Sequence, residues 1–305
     1  MAASPAPIRT DFRDALLCRG LLIATDVPGV YGRSVEFEDT IERVDRLVTA
    51  LGADDGPEMM RFPPIISRAQ FERSGYLKSF PHLAGSIHSF AGGERAHLEL
   101  LQSVEAGRDW SAALPHAGVV LTPAACYPVY PVLAGTLPTG GRLVDVMSNC
   151  FRREPSDDVG RMQMFRMHEY IRATCPESVL EWRATWVQRA EQFAAALGLE
   201  ARTEVAADPF FGRGGKLLGV SQRDQRLKLE IVTPIGSDER PTAIISLNYH
   251  QDHFGSVFGI TLADRDVAHT ACVGFGLERI ALALYRQHGV NRACWSRSTR
   301  RALGL

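Results

Sequence analysis

Long apolar runs are missing from this chain. No stretch approaches the ~20 residues a helix needs to cross a bilayer, which argues against a membrane-spanning role. The opening segment MAASPAPIRTDFRD has no apolar core of the kind a signal peptide carries. Charge of one sign is missing too: 34 Lys and Arg face 35 Asp and Glu, so the net charge is -1. No global field therefore draws the molecule to nucleic acid or to an anionic surface. Cysteine is sparse, with Cys18, Cys126, Cys150, Cys175, Cys272 and Cys294 scattered over 305 residues, so no disulfide framework is expected. A reducing, cytoplasmic setting is predicted. Phe210–Gly215 carries glycines, but no strand–GxGxxG–helix context surrounds them, and it reads as a flexible loop. What remains is a chain 45% hydrophobic and long enough to bury one large core with a small appendage.

Residues 1–10 are predicted to be mobile. From Glu36 to Gly52, Phe37, Ile41, Val44, Leu47, Val48 and Leu51 make one helical stripe, which Gly52 stops. Met60–Ser67 is extended, because its two prolines forbid helix. Helical pieces follow at Arg68–Ser74 and Glu94–Ala106. A long helix begins with Pro176 in its first turn and buries Val179, Trp182, Trp186, Phe193 and Leu197. Its opposite face carries Arg183 and Arg189, an exposed basic strip that suits an acidic partner. The division expected is an N-terminal segment, 1–35, and one domain, 36–305.

Two stretches carry the chemistry. The first is CFRREPSDDVGRMQMFRMHE, from Cys150 to Glu169. The apolar run from Leu143 to Phe151 reads as a strand, Pro155–Asp158 as the reversal, and the alternation from Arg161 to Tyr170 as the returning strand. Alone, such a hairpin is as easily a solvated one laced with salt bridges. The second is GFGLERIALAL from Gly274, where glycines let a strand meet a helix closely. Arg279 falls in the first turn of that helix, against the macrodipole, and so calls for an anionic partner. These residues resemble motifs 2 and 3 of class II aminoacyl-tRNA synthetases. The helix followed by a proline-bearing strand near residue 60 is similar to their dimer-building motif 1. The resemblance implies an α+β fold: an antiparallel sheet flanked by helices.

It also implies roles. Arg152 and Arg279 become the catalytic arginines, holding the α- and γ-phosphates of a bent ATP. Phe165 and Arg279 enclose the adenine, Glu154 accepts from its amino group, Arg161 reaches the outer phosphates, and Met162 lies in the same ATP set. The strand Arg226–Pro234, in which Lys228 and Glu230 share a face, is similar to the seryl-synthetase strand whose glutamate coordinates ATP through Mg²⁺. Thr242–Asn248 resembles the neighbouring strand, which places Ser246 with ATP and Asn248 toward the substrate.

At Leu121–Pro131 ordinary seryl synthetases carry a T-x-E triplet, whereas here Ala124–Ala125–Cys126 stands in its place. A thiol there resembles the atypical, archaeal-type seryl enzymes, which bind the amino acid through an active-site zinc. The resemblance implies Cys126, Glu169 and Cys272 as ligands. Two thiolates and a carboxylate leave one tetrahedral position open, as catalytic zinc requires. A buried cysteine is otherwise a small hydrophobe, and His168, His250 and His253 are rival ligands. About 35 residues precede the motif 1 helix, and none form a charged coiled-coil arm for tRNA. The whole pattern resembles the amino acid:[carrier protein] ligases. It implies a cytoplasmic homodimer with one zinc per subunit and Mg²⁺ with ATP. The reaction would load glycine or alanine on the phosphopantetheine of an acidic carrier protein, with no tRNA. A tRNA-dependent enzyme and a non-catalytic regulatory paralogue are the competing expectations.

Overall fold

The computed structural model describes residues 11–305; the stretch expected to be mobile, 1–10, lies outside the described residues. Seven strands form the principal sheet: Glu58–Arg61 (β1), Arg142–Phe151 (β2), Met164–Thr174 (β3), Arg202–Val205 (β4), Lys228–Thr233 (β5), Thr242–Gln251 (β6) and His269–Gly276 (β7). Their order is β4-β5-β6-β7-β3-β2-β1. Every neighbouring pair is antiparallel except β1 on β2. A second, three-stranded sheet of Ile65–Ser67, His116–Leu121 and Ser86–His88 leads into the loop bearing Cys126. The architecture is α+β, a largely antiparallel sheet flanked by helices, as the motifs implied.

The sheet is apolar on both faces. In β7, Val273 and Phe275 join one core cluster while Cys272 joins the other; in β3, Tyr170 and Ile171 divide in the same way. Period-2 side chains on a strand covered on both sides give such a continuous run. The first face is roofed by helices Val35–Gly52 (α1), Pro176–Ala196 (α2) and Leu277–His288 (α4). The Ser34 hydroxyl caps α1 by accepting from Phe37 N. Phe37, Ile41, Val44 and Val48 then face inward. Gly52 does more than stop α1: a Cβ there would lie 2.4 Å from the Tyr170 ring. Trp186 of α2 is fully buried and stacks on Tyr170 at 4.6 Å. Burial of each such side chain contributes about 1.5–3 kcal/mol.

Three expectations differ from the structure. The basic strip on α2 is not free: Arg183 is buried and donates to Arg226 O at 2.8 Å, and Arg189 pairs with Asp55. Residues 212–215 are not loop but the start of helix Gly212–Asp224 (α3). Its glycines lower helix propensity, yet Gly215 lies against Phe210, where a Cβ would meet the Phe210 carbonyl carbon at 2.7 Å. The returning strand β3 begins at Met164 rather than Arg161. Gln163 is tied instead to the turn at Pro28–Gly29, donating from its backbone N to Gly29 O and from Nε2 to Pro28 O, each at 2.8 Å. Leu16, Leu21 and Leu22 pack into the cluster of α1 and α4.

Candidate active site

The sheet face opposite α1, α2 and α4 holds a cavity of about 480 Å³, within the range of small-molecule sites. Strand register explains which side chains meet in it. Cys272 on β7 stands opposite Asn248 on β6, and Gly274 opposite Ser246. Gly274 also faces Glu169 on β3, where a Cβ would come within 3.3 Å of the Glu169 side chain. The glycine thus leaves room for the carboxylate.

Cys126, Glu169 and Cys272 are buried, and their ligand atoms lie within 4.8 Å of one another. Three distant segments supply them: the loop after His116–Leu121, β3 and β7. Glu169 Oε1 accepts from Ala125 N at 2.7 Å and Cys126 N at 3.3 Å. Burial and the neighbouring Cys272 sulfur push its carboxyl up to about 8. The Cys126 thiol is pushed upward as well, through its hydrogen bond to Cys272 and through burial. Three acids buried together suit a divalent ion: tetrahedral bonds of about 2.0–2.3 Å need ligand atoms roughly 3.5 Å apart. The donor set, two sulfurs and one oxygen, is one that zinc takes. Of the rival histidines, His168 points to the other face, between Asp45 at 2.7 Å and Asp145 at 3.2 Å. His253 meets Ser74 O at 3.1 Å, and His250 Nε2 lies 3.6 Å from Cys272 Sγ.

Two arginines stand free on the cavity wall. Arg152 donates to Pro123 O at 3.0 Å and lies 5.5 Å over the Phe165 ring. Arg279 donates to Gly160 O at 2.8 Å and Ala243 O at 3.0 Å. Among the described residues neither is in an ion pair with a carboxylate. Burial, and then the charge of Arg152, hold the Arg279 guanidinium below its usual value. Two like charges sharing a cavity, with no carboxylate in an ion pair with either among the described residues, present an anion site.

Lys228 is less free. Its ammonium is held by Asp208 at 2.6 Å and Glu230 at 2.9 Å, and Ser246 Oγ donates to Glu230 at 3.4 Å. Phe165, Lys228, Glu230, Ser246, Asn248 and Arg279 all line the cavity. Glu154, Arg161 and Met162 do not. Glu154 and Arg161 pair loosely with one another at 3.7 Å, close enough for their charges to act on Arg279. Met162 is buried in the helix-side core. Asp208, clamped by Gln222 and Lys228, and the stacked pair Phe80–Phe210 also line the cavity. Sequence reasoning missed these, because an aspartate ahead of a proline and two phenylalanines carries no pattern.

No family model matches this chain. It is 47% identical over 279 residues to amino acid–[acyl-carrier-protein] ligase 1 of Bradyrhizobium diazoefficiens, covering 91% of this chain and 85% of that one. It is 46% identical over 280 residues to ligase 2 of the same organism, covering 91% and 84%. It is 32% identical over 200 residues to the type-2 serine–tRNA ligase of Methanococcus maripaludis, covering 61% of this chain but 38% of the relative. Among solved structures, the M. kandleri seryl-tRNA synthetase in complex with A. aeolicus tRNASec superposes with a TM-score of 0.83 at 20% identity. The Pyrococcus horikoshii seryl-tRNA synthetase complexed with ATP gives 0.71 at 16%. The chain spans 62% of each of these two synthetases, and at such identities the likeness is one of fold.

Proposed function

The chain belongs to the amino acid–[acyl-carrier-protein] ligase family, and on that premise we propose that it activates glycine or alanine with ATP and transfers it to the phosphopantetheine thiol of an acidic carrier protein. The observation that carries the reading is the pair of arginines, Arg152 and Arg279, without a carboxylate partner among the described residues, on the wall of a cavity that Cys126, Glu169 and Cys272 also line.

The amino acid carboxylate attacks the α-phosphorus of ATP and pyrophosphate leaves, giving an aminoacyl-adenylate. Attack by an anion on an anion needs charge neutralised and reactants aligned rather than a protein nucleophile. Arg152 faces the α-phosphate and Arg279 the γ-phosphate, with Phe165 and the Arg279 plane about the adenine. Glu154 and Arg161, outside the cavity wall, remain proposed contacts to the adenine amino group and outer phosphates; Met162 serves as buried support for them. Asp208 and Glu230 share the single charge of Lys228, so this wall keeps one net negative charge, suited to the Mg²⁺ that accompanies ATP. Ser246 steadies Glu230, and Asn248 faces the substrate. Cys126, Glu169 and Cys272 would hold zinc, which would supply Lewis acidity that favours an unprotonated α-amine. In the second half-reaction the carrier thiol attacks the adenylate carbonyl, a thioester forms and AMP leaves.

The same reading includes a cytoplasmic homodimer. The apolar stripe of α1 is already covered within the chain, so the open sheet edge at β1, with Met59 exposed, is the proposed contact between subunits. Among the described residues no helix is long and apolar enough to cross a membrane. ATP–pyrophosphate exchange tests the first half-reaction: glycine or alanine supports it, and Cys126→Ser or Cys272→Ser abolishes it. Exchange indifferent to both substitutions, or to small amino acids, refutes the proposal.

A further inference from the structure

Tyr130 sits four residues beyond Cys126, on the single helical turn Val129–Val132, and is fully buried. Its hydroxyl has no hydrogen-bond partner among the described residues. Burial opposes its ionisation, and the residue shares one buried cluster with Cys126 and Cys272. The ring has no freedom to turn away: it stacks on Phe254 at 3.8 Å with planes 12° apart, and meets His250 edge-on at 5.9 Å. A buried hydroxyl left unpaired costs stability, so its retention needs a reason.

His250 is aimed in the same manner. Its Nδ1 is tied to the buried Thr270 hydroxyl at 3.1 Å, and its ring lies edge-on to Phe254 at 4.9 Å. The other nitrogen, Nε2, is thereby presented to Cys272 Sγ at 3.6 Å. Asn248 Nδ2 donates to the same sulfur at 3.4 Å. A protonated thiol is a weak acceptor. Metal binding removes both thiol protons, and each sulfur then becomes an anion that can accept from its neighbours.

We propose that Tyr130 and His250, with Asn248, are positioning residues for the metal centre: Tyr130 Oη–H donates to the Cys126 thiolate, and His250 Nε2–H joins Asn248 on the Cys272 thiolate. The inference rests on Cys126, Glu169 and Cys272 holding a metal. It makes opposite demands on one side chain. Without metal the Tyr130 hydroxyl is a defect; with metal it is half of a charge-assisted hydrogen bond.

The test uses the full chain with Zn²⁺ or Co²⁺ alone, at one fixed pH. Metal-free Tyr130→Phe melts at or above the wild-type temperature, because a burdensome hydroxyl is gone. Its Zn²⁺ dissociation constant, measured against a chromophoric chelator, rises by about 10–100-fold, the usual effect of losing an outer-shell partner. The sulfur-to-Co²⁺ charge-transfer band of the Co²⁺-loaded variant shifts. His250→Gln weakens Zn²⁺ binding in the same range. Unchanged affinity and band in both variants overturn the proposal, as does a metal-free Tyr130→Phe that melts lower than wild type. Failure of the wild type to bind one Zn²⁺ per chain overturns the metal reading instead, before the variants are consulted.

Discussion

Glu278 lies beside Arg279 in the sequence but does structural work behind it, so Glu278→Gln separates support from contact. The side chain is 1% exposed. Its Oε2 accepts from the Arg166 backbone at 2.7 Å, and its Oε1 from Arg166 Nε at 2.9 Å and Arg33 at 3.3 Å. Arg166 also grips Glu38 at 2.8 and 3.1 Å. The network therefore ties α4 to β3 and α1. Removing one partner of a buried pair costs about 3–5 kcal/mol. Glutamine keeps one acceptor oxygen, and Arg166 keeps Glu38, so roughly half of that is expected, about 2 kcal/mol. At about 2.1 cal/mol/K per residue, a chain of 305 residues shifts its Tm by roughly 1.5 °C per kcal/mol, which gives a fall of about 3 °C by calorimetry. Phe165 and Arg279 adjoin the two joined residues, so the KM for ATP rises while the KM for the amino acid holds. A Tm within a degree of wild type, or equal rises in both constants, refutes this reasoning.

Trp186→Ala removes the fully buried ring stacked on Tyr170, and denaturant titration should show a loss of about 3–5 kcal/mol. Burial opposes charge on His168, but hydrogen bonds and charge from Asp145 and Asp45 outweigh it and raise its pKa. The stability this contributes is present in full below the unfolded value of about 6.5 and is lost as pH climbs through the raised folded value. The Tm difference between wild type and His168→Gln is therefore largest below pH 6.5 and narrows above it. A difference constant with pH would contradict the assignment. Lys228→Met leaves Asp208 and Glu230 uncompensated on the cavity wall, and the KM for ATP rises about tenfold, the effect of about 1.4 kcal/mol. An unchanged KM removes that wall from the ATP site.

Much of the fold was legible because its signals are local. The α1 stripe, the proline opening α2, the apolar run of β2 and the alternation in β3 and β5 are set by neighbours a few residues away. What escaped depends on contacts distant in sequence. Helix α3 carries four glycines and only Gly215 and Gly219 are buried, so neither periodicity nor propensity announced it. Arg183 looked like a solvent-facing charge because its helical position is polar, yet two backbone carbonyls from other segments take it in. The metal trio was named from resemblance; residues so far apart meet only because β3 and β7 are neighbours. Asp208 and Tyr130 gave no sign at all: one is placed by Lys228 and Gln222, the other by its stacking on Phe254.

Transfer of label from activated amino acid tests the central claim most directly. Radiolabelled glycine or alanine is offered with ATP to the protein in the presence of phosphopantetheinylated carrier, the unmodified carrier and tRNA together. The account predicts label on the modified carrier alone, released by hydroxylamine as a thioester is. Label on tRNA, or on the carrier lacking its thiol, would contradict it.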